Sequence, residues 1–193
     1  MENAAIFMDR DGTVSEEVGY VNHLSRFKVF PWTARAIKRV NEARLKACLI
    51  TNQAGVARGY FKEELILQVH EKLALEIAKE GAVLDGIYYC PHHPTVGEPP
   101  YRQACNCRKP KPGLLERAAV EHKIDLTRSF MIGDRYSDME VIRRVGGCAV
   151  MVLTGYGLGE YEYQRESWPT PPDFIAKDLE EAINWIIEKQ SFS

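Results

Sequence analysis

Residues 4–13 read Ala-Ala-Ile-Phe-Met-Asp-Arg-Asp-Gly-Thr, an apolar run that stops at two acids separated by a single residue. The run from Ala4 to Met8 reads as a strand. Asp9 and Asp11, two apart at its end, can both turn their side chains toward one point. Adjacent carboxylates repel, so their proximity calls for a shared proton or a cation between them. A solvated, Asp-rich turn has the same composition. The rest of the chain favours the cation.

Working outward, short apolar runs alternate with longer amphipathic ones, the pattern of strands and crossover helices in a mostly parallel α/β sheet. Thr33 is placed to cap a helix reaching about Arg44, with Ile37, Val40 and Ala43 facing inward, and Ala47 to Ile50 is the next strand. Leu65 or Ile66, Val69, Leu73 and Ile77 stripe a long helix that Gly81 ends, and Ile87 to Tyr89 is a third strand. Leu114 to about His122 is helical, Phe130 to Ile132 is a strand, and Ser137 is placed to cap a helix closed by Gly146 and Gly147. Ala149 to Leu153 is a further strand. Thr154 to Pro172, rich in Gly, Pro and aromatics, reads as a loop, and the last helix starts near Asp178 with Glu181 set for a capping box. No repeat or linker interrupts residues 1–193, which therefore read as one domain.

In an open parallel sheet, ligands bind beyond the carboxyl ends of the strands. Three such exits are polar here: Asp9 to Thr13, Thr51-Asn52-Gln53, and Gly133-Asp134-Arg135 followed by Asp138. Asp134 adds a third hard oxygen ligand, a set that suits Mg²⁺.

Composition narrows the partners. With 193 residues, 45% hydrophobic and 27% charged, the chain is long enough for a proper core. Lys plus Arg (25) and Asp plus Glu (27) leave a formal net charge of -2, so no bulk positive field exists to hold nucleic acid. No apolar stretch approaches the roughly 20 residues of a membrane span, and charges at 9–11 leave no room for a signal-peptide core. A cytoplasmic protein is the expectation.

The five cysteines do not form a disulfide framework. Cys48 and Cys148 sit singly in apolar runs and read as buried thiols. Cys90 and His92 instead face Cys105 and Cys107 across twelve intervening residues (93–104). Three thiols and an imidazole satisfy a closed, structural tetrahedral zinc site with no open position for chemistry. His93 reads as an outer or surface histidine, and His23, His70 and His122 as solvated.

Asp-Arg-Asp-Gly-Thr at 9–13, Thr51 after its strand, Lys109 in Cys-Arg-Lys-Pro, and Gly-Asp-Arg-x-x-Asp at 133–138 resemble the four ordered motifs of the haloacid dehalogenase-like (HAD-like) phosphatases. The resemblance implies a Rossmann-like sheet and a Mg²⁺-dependent phosphomonoester hydrolase. Asp9 is then the nucleophile and Asp11 the general acid and base, while Thr51 and Asn52 bind the phosphoryl group and Lys109 adds fixed charge. The metal would be held by Asp9, the Asp11 carbonyl and Asp134. Asp138 either orients Lys109 or the metal waters, or simply favours a helix start.

The Cys-x-His and Cys-x-Cys pairs at 90–107 also occur in the heptose-bisphosphate and histidinol-phosphate branches of that family, which strengthens the zinc reading. Thr-Asn-Gln-Ala-Gly-Val-Ala-Arg-Gly at 51–59, Gly-Tyr-Val at 19–21 and Cys-Arg-Lys-Pro-Lys-Pro-Gly at 107–113 are more similar to the heptose branch. That similarity implies a small sugar bisphosphate as substrate, a role in heptose glycan or lipopolysaccharide synthesis, and a monomer. About 40 residues lie between Asp9 and Thr51, used up by a turn, a helix and a strand, so no separate cap domain fits. Specificity then falls to Gly19 to His23, Ala54 to Arg58, Arg108 and Arg135, with Arg58 itself expected as a surface charge. Histidinol phosphate is the rival substrate, and a zinc-stabilised binding module without catalysis the rival class.

Overall fold

The computed structural model describes residues 3–191. Its elements alternate as the sequence pattern predicts: β1 (Ala5–Met8), α1 (Thr33–Glu42), β2 (Lys46–Asn52), α2 (Glu63–Ala78), β3 (Gly86–Cys90), α3 (Gly113–His122), β4 (Phe130–Gly133), α4 (Tyr136–Arg143), β5 (Cys148–Val152), α5 (Gly157–Gln164), β6 (Phe174–Ala176) and α6 (Leu179–Ser191). The strands form one sheet in the order β3-β2-β1-β4-β5-β6, every pairing parallel. Strand order turns back at β1, and the crevice beyond the carboxyl ends of β2, β1 and β4 is where this topology places ligands.

Both faces of the sheet are covered. Ile6 and Met8 of β1 point into a core shared with Ile37, Val40, Leu73 and Ile183 of α1, α2 and α6. Ala5 and Phe7 point the other way, toward Leu115, Met139 and Ile142 of α3 and α4. Double coverage explains why the strands are runs of apolar residues rather than alternations.

Several sequence expectations are corrected. Thr33 is the first residue of α1 rather than its cap; its Oγ1 donates to the Val14 carbonyl at 2.8 Å, tying the helix to the turn after β1. Ser137 lies inside α4, and the start of that helix is closed by Asp138, whose Oδ2 accepts the Arg135 N–H at 3.1 Å. Thr154 to Pro172 holds α5 and a 3₁₀ turn at Arg165–Ser167. Its glycines hide the helix in the sequence. Tertiary packing supplies what propensity lacks, with the Trp168 ring stacked on Tyr136 at 5.1 Å and Tyr161 against the second core. The three-residue strand β6 was too short to read. His70 is buried rather than solvated, and Cys148 is only half-buried, while Cys48 is fully buried. The box at α6 forms with one change: the Glu181 carboxylate takes the Lys177 N–H, not that of Asp178.

Candidate active site

Three strand ends deliver the acids. Asp9 follows β1, and its Oδ1 takes the Arg10 N–H at 2.7 Å and Lys109 Nζ at 3.0 Å. Asp134 follows β4, and Asp138 stands in the first turn of α4. One oxygen from each of Asp9, Asp134 and Asp138 lies within 4.8 Å of the others. Asp134 and Asp138 are each 1% exposed. Such a set of hard oxygens at close range suits a divalent cation. Asp134 Oδ1 is buried with no hydrogen-bond partner, which leaves it free for one. Burial, then Asp9 and Asp138, push the Asp134 carboxyl up to about 8, against the Tyr156 N–H that its Oδ2 accepts at 2.9 Å. Burial likewise raises Asp138 to about 6, opposed by Lys109.

The approach to Asp134 is tight enough to demand glycine. Gly12 has φ +81°, and a Cβ there would strike the Asp134 carboxylate.

Lys109 is the one cation inside this cluster among the described residues. It is 4% exposed, donates to the Ile50 carbonyl at 2.9 Å, and pairs with Asp138 Oδ1 at 2.6 Å. Burial alone would lower its pKa, but Asp138 and Asp9 outweigh that and raise it, so the ammonium stays charged. Asp138 thus does both things the sequence left open: it pairs with Lys109 and closes the start of α4. Asn52 holds the same lysine by its backbone, with Oδ1 accepting Lys109 N–H at 3.0 Å and Nδ2 donating to the Lys109 carbonyl at 3.2 Å. Its amide is therefore committed to Lys109 as well as lining the cleft.

Asp11 is handled differently. Its carboxylate stands outside the three-acid cluster, forked by Arg10 (Nε to Oδ1 3.0 Å, Nη2 to Oδ2 2.7 Å) and bonded by Gln53 Nε2 at 2.9 Å. Gln53 also donates to Thr51 Oγ1 at 2.8 Å, leaving the threonine O–H free to donate. Sequence reasoning missed both Arg10 and Gln53. The signal was available, since each sits inside a quoted strand exit.

The cleft above these groups holds about 390 Å³ and is lined by Asp9, Asp11, Thr51, Asn52 and Lys109, with Arg108 and Arg135 at its rim. Arg135 stacks on the Tyr156 ring, 3.8 Å from its centroid, and Arg108 Nη1 donates to the His92 carbonyl at 3.3 Å. Of the specificity segments expected, Gly19, Tyr20 and Ala54 line the cleft, whereas Arg58 turns to His93 at 3.2 Å. Glu17 and Tyr156 join the wall without having been foreseen; the first is raised by burial, opposed by the Gly19 N–H.

Cys90, His92, Cys105 and Cys107 converge beside this rim. The Cys90–Cys105 and Cys90–Cys107 sulfurs are 3.5 and 3.2 Å apart, and His92 Nδ1 is 3.3 Å from Cys107 Sγ and 3.7 Å from that of Cys90. A tetrahedral metal with bonds of about 2.0–2.3 Å has ligand–ligand edges of roughly 3.5–3.8 Å, so the donor set fits one after small outward adjustments. All five cysteines are free.

Fold and site together define the class, a HAD-like hydrolase. A family model described as HAD-hydrolase-like matches residues 106–182. A Thermosynechococcus vestitus protein named D-glycero-D-manno-heptose-1,7-bisphosphate 7-phosphatase is 40% identical over 192 residues, covering 96% of each chain. The Escherichia coli K12 protein named D-glycero-beta-D-manno-heptose-1,7-bisphosphate 7-phosphatase is 39% identical over 165 residues, 85% of this chain and 86% of that one. Among solved structures, the D,D-heptose 1,7-bisphosphate phosphatase of B. bronchiseptica, complexed with magnesium and phosphate, superposes with a TM-score of 0.84 at 28% identity, over 96% of this chain and 99% of that one. The chain belongs to the D-glycero-D-manno-heptose-1,7-bisphosphate 7-phosphatase family, within the HAD-like hydrolases.

Proposed function

We propose that the chain removes the 7-phosphate of D-glycero-D-manno-heptose 1,7-bisphosphate in two displacements at Asp9. The observation that carries this reading is the meeting of Asp9, Lys109, Asp134 and Asp138 at one point, with Asp9, Asp11 and Lys109 lining the cleft. Asp9 attacks phosphorus and the sugar oxygen leaves, taking a proton from Asp11. Asp11 then removes a proton from water, whose oxygen displaces Asp9 and releases phosphate. Splitting hydrolysis this way lets one pair of acids serve both halves.

The repulsion between these acids and a phosphate is the chief barrier. Lys109 offsets part of it with a charge that cannot move away, because Asn52 and the Ile50 carbonyl hold it. Thr51 donates its free O–H to the transferring group. Asp9 and Asp134, with the Asp11 carbonyl, would hold Mg²⁺, which supplies positive charge that neutralises the phosphate oxygens. Arg108 and Arg135 at the rim offer forked donors to the second phosphate, which stays on the product.

Cys90, His92, Cys105 and Cys107 would hold zinc, which clamps the loop that leads directly into Arg108 and Lys109. Thiols kept for a metal suit the reducing cytoplasm, where residues 1–193 would act as one monomeric domain without a cap. Among the described residues no helix is long and apolar enough to cross a membrane.

Phosphate release from the heptose 1,7-bisphosphate, the 1-phosphate, the 7-phosphate and histidinol phosphate tests the assignment. The bisphosphate should give the highest kcat/KM and leave the 1-phosphate. Preference for histidinol phosphate would replace the substrate, and release from none of them would sink the catalytic reading.

A further inference from the structure

Arg10 is an arginine where none should be cheap. It is 1% exposed, and its Cζ sits 5.8 Å from the centre of the buried Phe27 ring. Taking a guanidinium out of water is costly unless it is paired and hydrogen-bonded. The single ion pair it makes among the described residues is with Asp11, two parallel bonds that fix the carboxylate in plane as well as in place. Among the described residues Asp11 has no second ion-pair partner, and His70, buried and close to Arg10, is pushed down to about 3 by burial and then by that arginine, so it is neutral. Gln53 adds a third donor on Asp11 Oδ2. The Asp11 side chain is still 21% exposed and faces the cleft.

We propose that Arg10, aided by Gln53, is the positioning residue of the general acid and base. The proposal rests on the reading of Asp11 given above. In the first displacement the Asp9 oxygen bonds to phosphorus, the phosphorus–oxygen bond to the sugar breaks, and the Asp11 proton passes to the departing oxygen. The product at Asp11 is a carboxylate, and the fork stabilises that anion in the orientation it must keep to accept the proton of water next. Arg10 touches neither substrate nor metal; it acts through Asp11. The guanidinium reaches from the core because a flexible surface cation could not fix both oxygens at once.

The leaving group provides a readout that a merely structural residue would not move. A sugar alkoxide needs the proton from Asp11, whereas p-nitrophenolate leaves without one, and kcat/KM reports only the steps through the first irreversible transfer. Arg10→Met should lower kcat/KM for the sugar phosphate by about 10²-fold, the lower end for general-acid catalysis, and that for p-nitrophenyl phosphate by less than about 3-fold. Gln53→Leu should show the same selectivity more weakly, and it carries the test alone if Arg10→Met does not fold. Equal losses on the two substrates, or no loss on either, overturn the proposal. Asp11→Asn separates the layers: if it is selective and the Arg10 and Gln53 variants are not, only this inference fails, whereas equal losses for Asp11→Asn take away the acid and base reading beneath it.

Discussion

Replacing Lys109 with Met removes the cation from a cluster of three buried acids while nearly preserving volume. The lysine gives up contacts to Asp138 at 2.6 Å, Asp9 at 3.0 Å and the Ile50 carbonyl at 2.9 Å. With Asp138 1% exposed, solvent cannot screen the charge left behind. Removing one partner of a buried pair costs about 3–5 kcal/mol. At about 2–4 °C per kcal/mol for a chain of this length, the melting temperature should fall by roughly 6–20 °C in Mg²⁺-free buffer. Magnesium then distinguishes electrostatics from packing. A dication among Asp9, Asp134 and Asp138 supplies the lost charge, so the deficit should shrink as Mg²⁺ is added. By linkage the variant should bind Mg²⁺ more tightly, tenfold for each 1.4 kcal/mol recovered. The assay is thermal unfolding of wild type and Lys109→Met across a Mg²⁺ series, with no chelator, so that any metal at the cysteines stays in place. An identical drop at zero and saturating Mg²⁺ would refute the electrostatic account and leave only lost contacts. Activity should stay low throughout, since a cation among the acids does not restore the donor beside Asp9.

Three further outcomes are expected. Asp9→Asn should lose at least about 10³-fold in turnover, the scale seen when a nucleophile is removed; full Mg²⁺-dependent activity would exclude the covalent route. If Cys90, His92, Cys105 and Cys107 hold zinc as proposed, stripping it should lower turnover with every proposed catalytic acid intact, because Arg108 bonds to the His92 carbonyl; equal turnover by a sample shown metal-free by atomic absorption would break that link. His70, ordinarily near 6.5 but held at about 3 in the fold, should cost stability as pH falls from 6.5 toward 3, because the unfolded chain takes up the proton first. The slope from this one group approaches about 1.4 kcal/mol per pH unit, and His70→Gln should flatten it in urea titrations; an unchanged slope would assign the acid limb to other groups.

Much of this architecture was legible because local signals agreed. Apolar runs of three to five residues followed by polar exits marked β1, β2 and β4, and each exit carries part of the candidate site. What escaped was held by distant contacts. The helix α5 has glycines at 157 and 159 and exists because Trp168 and Tyr161 dock on the second core, a contact no local pattern announces. His70 looked like any polar helix residue until packing buried it.

The site divides along the same line. Residue order alone supplied three acids at two strand ends and the expectation of a cation among them, since neighbouring carboxylates repel unless a cation or proton joins them; phosphoryl transfer entered only through the resemblance to the HAD-like phosphatases. What each acid is paired with came from three dimensions. Only the packed sheet brings Asp138 from the first turn of α4 to Lys109, two residues past Cys107, and only it sends the Arg10 guanidinium back through the core to fork Asp11. Alternation along a strand says which way a side chain starts; where its charged end comes to rest depends on the partner that the rest of the fold delivers, because a buried charge is tolerable only where an opposite one has been placed to meet it.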